Sequence, residues 1–583
     1  MLSYFFSTCT SCLDVLWNTS AVAAAGIALT VATPVLVIIP LQLHRISLAP
    51  EGILWVGQDS YSFFPKLRST LVALINERQN LEEGWTKYSS KGKPFVRPSL
   101  HWPSVVLPPS NAEWLARQPE NLVADSKVQD DVLALEWLAS GPSNAFIHDF
   151  TVIRRDLTRQ INACIPELLD EIRHACDTHF SHGKDVGDGW QEVLIVDAVR
   201  KAVCGVANRV IIGLPVCRSE EYFHAVQKWW VCFGLTGLIF RSFIPGPLRN
   251  IIMPILSVPT WYWRRKVAAM YEPEVSRRMA RIKEAHVKGD GLKSRSEERA
   301  NDLMQWLIEQ ALHSSDPAER NPRNLSNKLV MFNLFATHTL TTVLTTLFTT
   351  LLTQKDCKAT LAALREEALR IVPQASGTPT LAKQMPLHDS VLRETLRLHP
   401  SFDDAMLREV VAPAGLTTPD GFFLPQGSHV AMHTRLMQRS DWSGDGQDWE
   451  TFEPFRYYDM ASGRQSRQSN GGTSQTSGDD ATEEEKAIAL PIDKGQISAV
   501  QISDRYLPFG LGKHACPGRF FAASTLKLML ASLVLEFDME AFPEDRQPEY
   551  IEFGGVKLLK EHTVVRMRRI KADSKYDKMD DVQ

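Results

Sequence analysis

Cysteine is scarce in this chain of 583 residues: there are nine, an odd number. So thin a supply excludes a secreted disulfide scaffold and leaves at least one thiol for another use. A basic excess is missing too, because 64 Lys and Arg stand against 68 Asp and Glu, for a net charge of −4. Nucleic acid is therefore not an expected partner, since its phosphates call for a positive surface. No Gly-rich nicotinamide or flavin fingerprint opens a βαβ pattern, and no internal repeat is visible. What is present is an ordinary globular balance, 44% hydrophobic and 23% charged. The length alone allows roughly four domains at about 150 residues each.

Charge is absent from two long stretches. None lies between Asp14 and Arg45, and Ala21 to Leu41 is almost wholly apolar. At about 1.5 Å per residue this segment covers about 31 Å, enough for a hydrocarbon core. A cleaved signal peptide would have a basic leader and a shorter apolar core, whereas only Asp14 is charged here. A retained anchor over 21–41 is expected, with Arg45 as the flanking charge that places the rest in the cytosol. The triplet Asn18-Thr19-Ser20 and the pair Cys9 and Cys12 have no supporting context. The second stretch, Leu329 to Thr353, also has the length of a span, which leaves a multi-span membrane binding protein as a rival reading. It holds Asn333, His338 and nine threonines, costly in lipid. A long helix through the core of a large domain, with polar residues facing an internal cavity, fits better.

Apolar residues recur at three-to-four spacing over Ile161 to Phe180, Gln191 to Val210, Val258 to Glu284 and Leu361 to Ile371, so helices are expected there. Short β runs are expected near Pro94, at Gly421 to Val430 and at Thr563 to Met567. The segment 461–499 opens with a Ser-, Gly- and Asp-rich run without aromatics, which predicts a mobile surface insertion; 571–583 reads as a charged tail. Trp229 to Phe243 and Ile251 to Trp263 are strongly apolar, as either a membrane-touching substrate entrance or plain core.

The most informative segment is Phe509-Gly510-Leu511-Gly512-Lys513-His514-Ala515-Cys516-Pro517-Gly518-Arg519. A thiolate that ligates haem iron needs backbone N–H donors aimed at sulfur and a chain that turns sharply beneath a flat macrocycle. Glycines at 510, 512 and 518 permit such a turn, Pro517 stiffens its exit, and Phe509 can cover the sulfur. A lone Cys in a Gly-rich turn would ordinarily be a small buried hydrophobe. The full spacing is what distinguishes it: the segment resembles the cysteine loop of the cytochrome P-450 family, with His514 where many members have Arg.

Three further elements match that family in chain order. Glu394-Thr395-Leu396-Arg397, before Leu398-His399-Pro400, resembles its E-x-x-R helix, and Phe452-Glu453-Pro454-Phe455-Arg456 its F-x-P-x-R segment. The resemblance implies a structural Glu394–Arg397–Arg456 network; Glu and Arg three apart share a helical face, and the apolar flanks suggest burial. Ala336-Thr337-His338-Thr339 resembles the oxygen-binding bend of the long central helix, with His338 where the usual acid stands and Thr337 where the usual Gly does. Gly84-Trp85-Thr86-Lys87-Tyr88 and Gly213-Leu214-Pro215-Val216-Cys217-Arg218 look like fungal microsomal members, broadly the ent-kaurene oxidase-like group of secondary metabolism.

The resemblance carries these implications. The fold is mainly α with a small β portion, one large haem domain over 50–570 behind an N-terminal transmembrane helix. The cofactor is haem b with Cys516 as axial ligand, touched by Phe509, Gly510, Gly512, His514 and Gly518, with Arg154 and Arg408 as candidate propionate partners. Thr339 and His338 serve catalysis, and Phe332, Asn333, Phe335, Ala336, Ser401, Phe402 and Val556 line an apolar pocket. The activity is a monooxygenase acting on a hydrophobic, terpenoid-like substrate with O2. Electrons come from NADPH-cytochrome P-450 reductase, with cytochrome b5 as an accessory donor, at the endoplasmic reticulum membrane. A haem-thiolate isomerase or dehydratase without a reductase is the alternative within enzymes.

Overall fold

The computed structural model of the protein describes residues 39–58, 63–139, 147–244, 246–287, 299–372, 384–440, 448–462, 498–553 and 556–570. Of the expected anchor only residues 39–41 fall among them; Asn18, Cys9, Cys12, nearly all of 461–499 and the tail 571–583 lie outside. The first described helix, α1 (Ile39–Ser47), is tied down at once. Gln42 Nε2 donates to Leu100 O at 2.9 Å, and the Arg45 guanidinium donates to the same carbonyl. Arg45 is only 2% exposed. Burial, helped by the nearby Arg249 charge, pulls its pKa down to about 10. The charge expected to flank the membrane is therefore held inside the protein.

The periodic segments become helices, among others that spacing did not single out. They are α2 (Ala73–Lys87), α3 (Asp125–Leu133), α4 (Ile165–Ala175), α5 (Ile195–Ile211), α6 (Glu220–Phe243) and α7 (Gly246–Leu256). After these come α8 (Val258–Val287), α9 (Leu303–His313), α10 (Pro322–Thr353), α11 (Cys357–Ile371), α12 (Pro386–Leu398) and α13 (Arg519–Glu536). Their starts follow from local chemistry: the Asp302 side chain accepts from Gln305 N before α9, and Asn321 caps α10 ahead of Pro322.

Strands are short. In chain order they are β1 (Leu54–Trp55), β2 (Phe95–Arg97), β3 (Ser104–Leu107), β4 (Val123–Ala124), β5 (Lys184–Gly187), β6 (Trp190–Leu194) and β7 (Asp404–Val410). The rest are β8 (Leu416–Thr417), β9 (Phe423–Leu424), β10 (His429–His433), β11 (Phe537–Met539), β12 (Tyr550–Phe553), β13 (Val556–Leu559) and β14 (Val564–Arg569). One sheet has the order β1-β2-β3-β10-β7-β4, and a second β11-β14-β6-β5. The β6 strand corrects the helix expected from Gln191. Residues 190–194 pair antiparallel with β14, Val193 opposite Val565, and the helix starts only at Ile195. Ladder pairing outweighs helical periodicity there.

Among the described residues α10 alone is long and apolar enough to cross a membrane. It runs instead through the main core, with Leu329, Met331, Leu344, Phe348 and Leu352 buried. The helix-rich core and the small sheets leave the cysteine loop at the start of α13, a helix that packs against both α10 and α12.

Candidate active site

The cysteine loop turns where its glycines allow. Gly510 and Gly512 both take φ of +71°, a region that favours glycine. A Cβ on Gly512 would meet Ala116 O at 3.0 Å. Gly518 differs from expectation: its φ is −88° and a Cβ there meets no protein atom within 4 Å, so the turn itself does not require glycine at 518. Cys516 N donates to Phe509 O at 2.8 Å, which closes the loop. Burial pushes the Cys516 thiol up, while the N–H groups of Gly518 and Arg519 and the charges of Arg519 and Arg154 pull it down. The donors stabilise the thiolate that a metal would demand.

Cations and acids gather beside this loop. Arg154 Nη2 donates to Lys513 O at 2.8 Å. His514 Nδ1 lies 3.4 Å from Asp125 Oδ2, and its Nε2 lies 3.3 Å from Glu120 Oε2. Arg408, buried, bonds the other oxygen of Asp125. Arg154, Arg408 and His514, far apart in sequence, thus converge on the loop.

On α10, Thr339 Oγ1 donates to Phe335 O at 2.7 Å. Such back-bonding loosens a helix locally. Thr339 is half-buried and His338 exposed, on a helix whose flanking turns are buried. His338 nevertheless sits deep enough among protein atoms that desolvation, with Arg200 adding to it, lowers its pKa. The half-open, desolvated Cys516 shows the same combination.

Below the loop, Arg397 Nε and Nη2 donate to Glu394 Oε2 and Oε1 at 2.7 and 2.8 Å. Arg456 Nε donates to Glu394 Oε1 at 3.1 Å, as does Glu453 N. Trp449 O accepts from Arg397 at 2.6 Å, and Asp448 O from Arg456 at 2.8 Å. All three network side chains are essentially inaccessible, so the pairing is interior and not a surface bridge.

The expected pocket residues divide. Phe332 and Phe335 both approach the Phe150 ring, at 5.9 and 6.4 Å between centroids. Ala336 and Ser401 are half-buried, and Phe402 is exposed. Asn333 is no pocket wall: it is fully buried, and its amide donates to Asn208 Oδ1 and Tyr222 Oη. Val556 opens β13, but its side chain lies outside the described ones.

A family model, cytochrome P450, matches residues 147–566. The chain is a cytochrome P450. Two similar curated proteins are "Cytochrome P450 monooxygenase lnaC" of Aspergillus flavus, 28% identical over 86% of this chain and 90% of that one, and "Cytochrome P450 monooxygenase htyF" of Aspergillus rugulosus, 29% identical over 93% and 77%. Among solved structures, the retinoic-acid-bound cyanobacterial CYP120A1 aligns with a TM-score of 0.58 at 17% identity, covering 86% of this chain and 96% of its own, a likeness of fold. This P450 is a monooxygenase that works with haem, O2, a redox partner and a small-molecule substrate.

The residues present fit the haem. A half-open thiol has N–H groups aimed at it, and the buried Arg408 and the His514 ring stand beside it. Cys516 would hold the iron, and Arg154, Arg408 and His514 would meet the propionates. Asp125 and Glu120, which hold Arg408 and His514 in this P450, were not expected from the sequence. They are acids on and before a short helix, and no local pattern distinguishes them from surface charge.

Proposed function

We propose that this P450 oxidises a hydrophobic, terpenoid-like secondary metabolite at the endoplasmic reticulum membrane, anchored by one span over 21–41 with its catalytic domain in the cytosol. The observation that carries the substrate class is the apolar surround of the open turn of α10. Phe332, Phe335 and Ala336, with the Phe150 ring against them, supply it, and Thr339 and His338 are the polar handles. For the membrane, the support is an exposed apolar face: Ile251 is 67% exposed, Ile255 75% and Trp261 53%. Such a patch is unfavourable in water and favourable against lipid. Trp229, Phe233 and Phe240, by contrast, are buried, so the earlier apolar run is core.

NADPH-cytochrome P450 reductase supplies the electrons in this reading, with cytochrome b5 as accessory. A cleft of about 300 Å³ beside the loop is lined by Arg154, Lys513 and Arg519, a positive surface for an acidic partner. Haem, when bound through Cys516, supplies dioxygen activation and the insertion of one oxygen atom. The chain supplies protons and dryness. Thr339 Oγ1 keeps lone pairs free to hold a water, and the lowered pKa leaves the His338 imidazole neutral and able to pass a proton.

The test is a substrate-induced difference-spectrum screen of the haem-loaded protein over terpenoids, steroids, indole alkaloids and fatty acids. Terpenoids are expected to respond most strongly, and a response confined to fatty acids refutes the substrate class. Turnover of the best responder should stop without reductase, NADPH or O2; continued turnover would favour the isomerase or dehydratase reading. Cys516→Ala should erase the thiolate-type CO band, and its survival would refute the ligand assignment.

A further inference from the structure

Asn208 on α5, Tyr222 on α6, Tyr271 on α8 and Asn333 on α10 meet in one fully buried polar knot. Asn333 Nδ2 donates to Asn208 Oδ1 at 2.7 Å and to Tyr222 Oη at 2.6 Å. The Tyr222 hydroxyl donates to Asn208 Oδ1 at 2.9 Å. Its proton is thereby spent, so the Tyr271 hydroxyl, 2.7 Å away, must be the donor to Tyr222. Asn208 Nδ2 turns back to Cys204 O at 2.7 Å. Every proton has one assignment, and a flipped Asn333 would set oxygen against oxygen. Burial raises the pKa of both phenols, so the knot is neutral throughout the physiological range.

Four leucine-sized apolar groups would hold these helices together at least as well, because buried polar groups recover little net stability. Direction is what the knot adds. Asn333 and Thr339 are six residues apart, about 240° around the helix and about 9 Å along it. Thr337, four residues on from Asn333, shares the gripped face and is buried. Thr339 and His338 leave by the open side. A roll of about 10° in α10 would swing a side-chain tip at about 6 Å radius by about 1 Å, and such a displacement is enough to cost about 10²-fold in rate.

We infer that Asn333 is a positioning residue: with Asn208, Tyr222 and Tyr271 it fixes the roll of α10, and so the place of the turn that carries His338 and Thr339. The inference rests on the reading of Thr339 as the residue that manages distal protons. It is tested on full-length holoenzyme with reductase. Tyr222→Phe removes the hub hydroxyl without changing shape, and the pair Asn208→Leu with Asn333→Leu removes the knot while leaving little unpaired. Three readouts are taken: melting temperature, amide hydrogen exchange in peptides spanning 334–342, and hydrogen peroxide released per NADPH. The expected result is a lowered melting temperature for Tyr222→Phe, which orphans buried donors, and one nearer the parent's for the double variant, with an unchanged CO band and with exchange and peroxide each raised by about tenfold in both. Parental exchange in both variants overturns the inference. So does parental peroxide release where Thr339→Ala raises it. If Thr339→Ala itself leaves peroxide at the parental level, the reading of Thr339 fails first, and the exchange data show that failure separately.

Discussion

Replacing Glu394 by Gln changes one oxygen to an amide and leaves the shape intact, so its consequence isolates charge. Glu394 accepts four hydrogen bonds, two from Arg397 and one each from Arg456 and Glu453 N. Gln can accept at only one oxygen and would present an NH2 group to guanidinium donors. Both buried cations would then lose their shared carboxylate, leaving Arg456 with the half-exposed Glu453, 3.4 Å away. Breaking a buried pair costs about 3–5 kcal/mol, a large share of a total stability of about 5–15 kcal/mol. Part is recovered, since Arg397 keeps Trp449 O and Gln438 O, and Arg456 keeps Asp448 O and Thr451 O. Both guanidiniums also keep the Trp449 ring, at 5.4 and 4.9 Å. The expected loss is therefore about 3 kcal/mol, near the lower bound. It is read as the shift in denaturant midpoint of the holoenzyme, together with the fraction of thiolate-type CO signal retained. Arg397→Lys should lose nearly as much, because an ammonium cannot span both carboxylate oxygens. A Glu394→Gln protein within about 1 kcal/mol of the parent would show a pair no stronger than one on the surface, and would refute the argument.

Thr339→Ala should keep the CO signature while lowering product formed per NADPH, with kcat down by about 10²-fold, the low end for a positioned proton donor; unchanged coupling removes Thr339 from the proton path. Gly512→Ala should cost about 1–3 kcal/mol through its left-handed φ and the contact with Ala116 O, and Gly518→Ala should cost within about 0.5 kcal/mol; equal losses in urea titrations would contradict the geometry. Acid should destabilise the fold in a defined window. Burial brings the pKa values of His399 and His433 to about 3 from 6.5, Lys557 and Arg435 respectively adding to it. The unfolded chain then binds the extra protons, so stability is full above pH 6.5 and falls as pH drops toward 3. Between pH 7 and 5 the loss is about 2 kcal/mol for each histidine; a stability flat over that window would show that they are not buried neutral.

What was legible in the sequence was whatever a short spacing could encode. The Cys516 loop, the Glu394–Arg397 pair and the turn at Thr339 each lie within one element, where residue offset fixes geometry. The strand at Gln191 was not legible, because only its partner β14, far along the chain, makes it a strand. Asn333 was misplaced for the same kind of reason. Its position on α10 can be read from helical spacing, but its role depends on Asn208, Tyr222 and Tyr271, which approach from three other helices.

Asp125 and Asn333 together show where such readings stop. Both are polar residues whose partners are distant in sequence, and in both the partner set decides the function. Asp125 sits between Arg408 and His514, so it contacts both side chains that would hold the propionates. Removing its carboxylate with Asp125→Asn would take from the buried Arg408 guanidinium its hydrogen-bonded counter-ion, leaving the more distant Glu120, unless a propionate takes that place. Haem binding should then become more favourable to the variant's fold than to the parent's. The melting-temperature gain on haem loading is the measure: a larger gain for Asp125→Asn supports the placement of Arg408 at the haem edge, and an equal gain places Arg408 in the fold alone.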